Sequence, residues 1–142
     1  MKGSVVAVDH GAKRTGFAAS DPLRIATAPL EVWTGPGDAP ELVQHTAELV
    51  RERSATHVVV GFPLHMDGTA GGRAREVQAF VDALAAALPD VVLVKQDERL
   101  STKAAEELLR EAGHHGDARK ARRDSWSALV ILRDWIEAGE PG

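Results

Sequence analysis

Apolar residues cluster along this chain in short runs separated by turn residues, a pattern typical of an α/β protein. Two valine-rich runs, Ser4 to Asp9 and Thr56 to Gly61, predict strands buried on both faces. Thr15 to Ser20 follows the first run after a glycine-bounded turn and predicts its hairpin partner. Ala28 to Trp33 predicts a third, edge-like strand, and Val91 to Lys95 predicts one more buried strand.

Apolar residues at helical spacing predict four helices between and after these strands. They run from a cap at Asp38 to about Arg53, from Arg73 to Leu88, from a cap at Ser101 or Thr102 over Leu108 and Leu109, and from Arg119 to Glu137. The order predicts an antiparallel meander of three strands, two further parallel strands, and helices on both faces of a mixed sheet. We expect the tail from Gly139 onward to fray.

Length and composition restrict the class of protein. The 142 residues fit one domain spanning 1–142, and no apolar segment has the length of a membrane span or a signal peptide. The chain contains no cysteine, which excludes disulfides and thiolate chemistry and fits a cytoplasmic location. Any catalytic chemistry therefore depends on oxygen and nitrogen groups.

The net charge of −4 argues against a general nucleic-acid coat protein, but the cations are clustered. The clusters are Lys13 with Arg14, Arg73 with Arg75, Arg99 with Lys103, and Arg119, Lys120, Arg122 and Arg123. Each is a candidate for binding nucleic-acid phosphates. A solvated helix start explains any single cluster equally well.

Three acidic positions stand out. Asp9 and the pair Asp97-Glu98 each follow a predicted strand, and the carboxyl ends of parallel strands are where open sheets bind ligands. Asp124 falls on the apolar stripe of the last helix, where an unpaired charge is costly. Two of these positions also have a purely structural explanation. Asp9 could simply form the turn after the first strand. Asp124 could pair with Arg99 or Arg123, or it could cap the helix.

Assembled at one edge of the sheet, these carboxylates predict a metal site. Hard oxygen ligands without thiolate favour Mg²⁺ or Mn²⁺. Two such ions can bind one scissile phosphate, so the pattern indicates phosphodiester hydrolysis. The sequence does not decide whether Asp97 binds metal together with Glu98.

Four motifs give the sequence a resemblance to the YqgF family, also called RuvX, of the RNase H-like nucleases. They are VDHGAKRTG at 8–16, GFPLHMDGT at 61–69, DERLST at 97–102 and DSWSA at 124–128. The resemblance implies a five-stranded RNase H-like sheet, an acidic triad of Asp9, Glu98 and Asp124 with a divalent metal, and a cytoplasmic nuclease. It implies either processing of the 5′ end of the 16S rRNA precursor, with pre-ribosomal particles as partners, or Holliday junction resolution.

Several residues depart from the family pattern or leave their role open. His65 replaces an expected asparagine, His10 an apolar residue, and Ser127 an alanine. His10 adjoins Asp9 and could shuttle a proton, although strand alternation points it away. Trp126 could stack a base, meet a second protomer or pack against the 113–117 loop.

Three rival functions follow from the same residues. The motif D-x-G after a first strand also occurs in sugar-kinase and actin-like ATPases, but those clamp nucleotide between two lobes and this chain has the length of one. A catalytically silent RNA-binding module is the second rival. Resolution of branched DNA is the third, and a symmetric junction calls for two active sites and hence a homodimer. Family grounds favour RNA.

Overall fold

A mixed β-sheet with helices on both faces forms the part of the chain that the computed structural model describes. That part comprises residues 3–63, 71–97 and 116–140, with the backbone alone described at 116–124. The strands are β1 (Ser4–Asp9), β2 (Arg14–Ser20), β3 (Thr27–Pro29), β4 (Trp33–Thr34), β5 (Ala55–Phe62) and β6 (Val92–Asp97). The helices are α1 (Pro40–Arg53), α2 (Gly72–Ala87) and α3 (Gly116–Glu137).

The strand order is β3-β2-β1-β5-β6, with β4 pairing separately with β2. β1 pairs antiparallel with β2 and parallel with β5, and β5 pairs parallel with β6. The predicted meander and parallel strands are therefore confirmed. Because β1 and β5 lie inside the sheet with helices on both sides, their central runs, Val5 to Val8 and Val58 to Gly61, contain no polar side chain.

Alternation along the strands sorts the core into two layers. Val6, Val8 and Phe17 pack on the face covered by α1 and α2. Val5, Ala7 and Ala18 pack on the opposite face, against α3. Since neighbouring residues of a strand point to opposite faces, Asp9 belongs to the α3 face and the residue after it to the α1/α2 face.

The prediction of one third strand over Ala28 to Trp33 was wrong. Two short strands stand in its place: β3 pairs with the end of β2, and β4 pairs with its start. Leu30 still donates its N–H to Phe17 O at 2.8 Å, after which the chain leaves the ladder. Pro29, with its fixed φ and missing N–H, ends the regular pairing of β3.

Two further predictions need correction. Asp38 does not cap α1: Ala39 is the N-cap, with no side-chain bond, and Pro40 begins the helix. Proline suits this first position because its φ is already helical and its missing N–H would have no partner there. β6 was predicted as buried, but it is the edge of the described sheet, with Val94 7% exposed and Val92 46% exposed. The helix predicted from Ser101 or Thr102 lies outside the described residues.

The end of the chain is anchored as far as Glu140, so the prediction of a frayed tail was wrong for its first residues. Glu140 pairs with Arg24 at 2.7 Å, and its N–H donates to Trp135 O at 2.9 Å. The Arg24 side chain is only 7% exposed and also donates to Gly3 O at 3.0 Å. This arginine therefore ties the tail to the amino end of the sheet.

His57, at the start of β5, contacts the same arginine. Its Nδ1 is 3.0 Å from Arg24 Nη2, and its ring centroid is 5.6 Å from that of Trp135. Burial, and after it the charge of Arg24, lower the pKa of His57 below 6.5, while the charge of Glu140 raises it. Arg24 can only donate, so Nδ1 accepts and the ring is neutral in the folded protein.

We expect the stability of the protein to fall as the pH drops below about 6.5, because the pKa of His57 is lower in the folded chain than in the unfolded chain, which therefore binds the proton more readily. His57→Gln removes this contribution. Thermal melts at about pH 7.5 and pH 5.5 should show a smaller loss of Tm for His57→Gln than for the wild type. Equal losses for both proteins would contradict the assignment.

None of the helices in the described part of the chain is both long enough and apolar enough to cross a membrane.

Candidate active site at the carboxyl end of the sheet

Asp9 is the last residue of β1 and lies half-buried at the carboxyl end of the central strand. It pairs with Gly16 of β2. By alternation its side chain belongs to the face covered by α3. The sheet thus presents a partly buried carboxylate at the edge where α/β proteins bind their ligands.

The turn after Asp9 is tight and held from outside. A Cβ on Gly11 would lie 1.8 Å from Arg14 O, so only glycine fits there. Gly11 N–H donates to Thr15 Oγ1 at 3.3 Å. The loop before α1 adds two bonds, from Gly35 N–H to Lys13 O at 2.9 Å and from Gly37 N–H to Ala12 O at 3.0 Å.

His10 points away from Asp9, as alternation predicts. It is 4% exposed, and its ring centroid lies 4.9 Å from that of Phe80 on α2. Nε2 is 2.7 Å from Gly37 O, and Nδ1 is 3.0 Å from Arg73 Nη2. Because a guanidinium only donates, Nδ1 accepts and Nε2–H donates to Gly37 O.

The environment of His10 disfavours proton transfer. Burial lowers its pKa, the hydrogen bond to Gly37 acts in the opposite direction, and the charge of Arg73 lowers the pKa again. Both ring nitrogens are engaged with protein groups. The sequence-based alternative of His10 as a proton shuttle for Asp9 therefore has no support in this geometry.

The predicted phosphate-binding cations near Asp9 divide into two groups. Lys13 and Arg75 are exposed, and Arg14 is half-buried at the start of β2. Arg73 instead makes contacts within the protein: its guanidinium donates to His10 O and Nδ1, and its Nη1 lies 2.6 Å from Glu76 Oε2. The sequence reasoning missed this internal role, because nothing in the spacing connects residues 10 and 73.

Asp97 ends β6 and is exposed. Val94 packs on the α3 face, so alternation assigns Lys95 and Asp97 to the α2 face. Lys95 agrees with this, since its Nζ lies 2.8 Å from Gln78 Oε1 of α2. Asp97 is therefore two strands from Asp9, roughly 10 Å across the sheet, and on the opposite face.

The described members of the α3 stripe confirm the predicted burial. Ala128, Ile131, Leu132 and Trp135 are at most 1% exposed and pack on the sheet. The Asp124 side chain lies outside the described residues. So do Glu98, Arg99, and the side chains of Arg119, Lys120, Arg122 and Arg123. Within the described part of the chain, no three acidic or histidine side chains gather as a metal site.

The residues after Asp124 fix α3 on the sheet. Ser125 Oγ donates to Leu30 O at 2.6 Å. Ser127 is 1% exposed, and its Oγ makes no hydrogen bond with any described group. Trp126 is half-buried and packs against the α3-side core, so of its three predicted roles the structure favours packing within the protein.

A cavity of about 760 Å³ opens between α1 and α2, on the face opposite Asp9. His10 and Phe80 line it from the sheet side, and Val43 and Ala83 from the helices. Sequence reasoning missed this cavity, since its walls come from elements far apart in the chain.

Comparison with known proteins decides the family. A sequence model of the RuvX family, described as Holliday junction resolvase, matches residues 3–138. This chain belongs to the RuvX family. The match confirms the resemblance seen in the four motifs and makes the protein a member of a nuclease family.

Relatives of similar length support the assignment to RuvX. A protein of Acetivibrio thermocellus is 36% identical over 134 residues, covering 94% of this chain and 95% of that protein. One of Synechococcus sp. (strain JA-3-3Ab) is 43% identical over 134 residues, covering 94% and 83%. Both bear the name "Putative pre-16S rRNA nuclease".

Solved structures confirm the RNase H-like fold. RuvC of T. thermophilus in complex with Holliday junction substrate aligns with a TM-score of 0.59 at 14% identity, covering 96% of both chains. The fowlpox virus resolvase with Holliday junction DNA also gives 0.59, at 9% identity, covering 97% of this chain and 99% of that one. At these identities the likeness concerns the fold alone.

Proposed function

We propose that this RuvX protein acts in the cytoplasm as a divalent-metal-dependent nuclease, one RNase H-like domain spanning residues 1–142. Asp9, Glu98 and Asp124 are its metal-binding carboxylates. The observation that carries the proposal is the position of Asp9, half-buried at the carboxyl end of the central strand and on the face that α3 covers. An aspartate that only formed the turn after β1 would not need to lie beneath a helix.

The direction of α3 supports a role for Asp124. Trp135 lies against His57 at the start of β5, so the C-terminal part of α3 sits at the amino end of the sheet. From Trp135 back to position 124 the helix rises about 16 Å. From Val5, which is in register with His57, β1 runs about 13 Å to Asp9. Position 124 therefore falls near the level of Asp9.

The side of the sheet to which Asp97 belongs decides whether Asp97 or Glu98 is assigned to the metal site. Asp97 belongs to the α2 face, opposite Asp9, so the proposal assigns metal binding to Glu98, the next residue in the sequence. Asp97 is left out of the site for the same reason.

The donor chemistry fits a hard cation. The chain has no thiolate, and both nitrogens of His10 are engaged, so the ligands near Asp9 are carboxylate oxygens, which suit Mg²⁺ or Mn²⁺. One or two such ions, when bound, supply Lewis acidity toward the water and the phosphodiester. The two-ion form is the one we propose.

The protein groups around the cation then hold the substrate. Lys13 and Arg14 lie at the same edge as Asp9 and offer positive charge to the flanking phosphates, as does the exposed Arg75. We assign the same role to Arg99 and to the basic segment Arg119, Lys120, Arg122 and Arg123. The fixed turn at Gly11 keeps the first two cations close to Asp9.

For the substrate we propose RNA, specifically the 5′ end of the 16S rRNA precursor within pre-ribosomal particles. The names of the relatives support this choice. Holliday junction DNA is the second candidate, favoured by the description of the family model and by the resolvases that share the fold. That function requires two active sites and hence a homodimer.

One cleavage experiment tests the function and separates its substrates. Labelled single-stranded RNA carrying a 16S precursor 5′ end, duplex RNA and a four-way DNA junction are incubated in parallel with Mg²⁺, Mn²⁺ or EDTA. We expect the precursor RNA to be cut with either metal and not with EDTA. Preferential cutting of the junction would establish the second candidate instead, and no cutting of any substrate would contradict the proposed nuclease.

A further inference from the structure

We propose that Arg73 is a positioning residue that fixes Asp9 through the backbone and side chain of His10, rather than a ligand of nucleic-acid phosphates. The inference rests on the proposed function for the role of Asp9. Its evidence lies in contacts within the described residues that join α2 to the end of β1 across 63 residues of sequence.

Arg73 makes contacts with two groups of His10. Its Nη2 donates to the carbonyl oxygen of His10 and lies 3.0 Å from the ring Nδ1. Its Nη1 binds Glu76 Oε2 at 2.6 Å, which orients the guanidinium from the other side. The planar fork of an arginine can serve these acceptors together from two nitrogens, whereas a lysine ammonium carries all its N–H donors on one nitrogen.

His10 transmits this contact because it cannot move independently of its neighbours. Its ring packs 4.9 Å from Phe80 and donates from Nε2 to Gly37 O at 2.7 Å. A Cβ on Gly37 would come within 2.7 Å of His10 Cε1, so the loop is as close to the ring as backbone can come. The ring is thus clamped between α2 and the loop before α1.

The consequence for Asp9 follows from its place in the chain. The His10 carbonyl belongs to the peptide unit that joins His10 to Gly11, directly after the unit that joins Asp9 to His10, so a bond to it restrains the backbone dihedrals of His10 and, through them, the residue that carries the Asp9 carboxylate. Without Arg73 the carbonyl oxygen and the ring Nδ1 of His10 lose their donor. We then expect the backbone at His10 to rotate toward another hydrogen-bond donor. Functional ligands need to stay within about 0.5 Å of their productive position, so such a shift matters.

The alternative role, a phosphate contact, predicts different kinetics, and lysine distinguishes the two. We expect Arg73→Lys and Arg73→Ala both to lower kcat by about 10- to 100-fold, the usual effect of losing a group that orients a metal ligand. Both variants should need more Mn²⁺ for half-maximal activity, with KM for nucleic acid nearly unchanged. A phosphate contact would instead be preserved by Arg73→Lys, while Arg73→Ala would raise KM in a salt-dependent manner.

One control variant isolates the contact with His10. Arg75→Ala removes the same charge from the same helix start at an exposed position, so it should affect KM alone. A loss of kcat in Arg75→Ala as large as that in Arg73→Ala would show that charge at this helix start is responsible, and it would overturn the inference.

A measurement without substrate separates this inference from the proposed function. Amide hydrogen exchange at residues 10–12 in the metal-free protein should accelerate in Arg73→Lys and Arg73→Ala, and not in Arg75→Ala. Unchanged exchange in the Arg73 variants would overturn the inference even if the nuclease activity is established. An inactive wild type with accelerated exchange in these variants would refute the function and leave the structural link intact.

Discussion

Asp9→Asn is expected to lower metal-dependent cleavage by more than about 100-fold while leaving the fold intact. Loss of a group that only orients a metal ligand already costs 10- to 100-fold, so loss of a ligand itself should cost more. The substitution keeps the side-chain shape at the end of β1 and removes the charge that holds the cation. Single-turnover cleavage at saturating Mg²⁺, together with a thermal melt, measures both parts.

Asp38→Asn is the matched control for this prediction. Asp38 is an exposed carboxylate in the loop before α1, beside the cavity on the opposite face of the sheet. The Asp38→Asn variant should cleave at the wild-type rate. Activity in Asp9→Asn within a few-fold of the wild type, with the melt unchanged, would remove Asp9 from the site.

Arg24→Ala is expected to destabilise the protein by about 3 kcal/mol, because it breaks a largely buried ion pair and leaves several partly buried acceptors without their donor. Arg24 holds Gly3 O, Thr56 Oγ1, His57 Nδ1 and Glu140, and its Cζ lies 5.5 Å from the centroid of the Trp135 ring. Its φ of 60° is one that non-glycine residues avoid, which indicates that these contacts hold it in place. Tm should fall by roughly 10 °C.

Arg133→Ala provides the comparison for Arg24. Arg133 is an exposed arginine whose guanidinium bonds Thr27 Oγ1 at 3.3 Å. Its removal should change Tm by no more than about 2 °C, as usual for a surface substitution. Equal shifts in Tm for the two variants would show that the cluster around Arg24 does not anchor the tail.

The central strands could be predicted from the sequence because burial on both faces leaves a plain pattern. The valines of β1 and β5 carry it, and the turn at Gly11 marks where β1 ends. The prediction failed where the local hydrophobic pattern does not match the strand pairing in the sheet. Pro29 interrupts what reads as one strand, and β6 contains the same valines as a buried strand but lies at the edge of the described sheet.

A long-range contact accounts for the error at the tail. The tail looked free because glycine and proline dominate it, yet Glu140 is held by an arginine 116 residues away. This contact leaves no periodic signal, so local reasoning could not find it. The error at Asp38 is local: Pro40 begins the helix, and proline at a first helical position is a signal that the sequence itself carries.

For the candidate site, the sequence predicted the stripe on α3 that carries position 124, since helical spacing alone reveals it. It also predicted that Asp9 ends the central strand. It did not predict that Arg73 would turn inward to His10, because an arginine at a helix start looks the same whether it faces solvent or the protein. Glu98 and Asp124 as partners of Asp9 stay a prediction.

The most direct test of the account is a calorimetric titration of the substrate-free protein with Mn²⁺, comparing wild type with Asp9→Asn, Glu98→Gln and Asp124→Asn. The account predicts that the wild type binds the ion and that each of the three variants loses most of this affinity, while Asp38→Asn and Asp97→Asn keep it. Wild-type affinity in the three variants, with their melts intact, would contradict the proposed metal site.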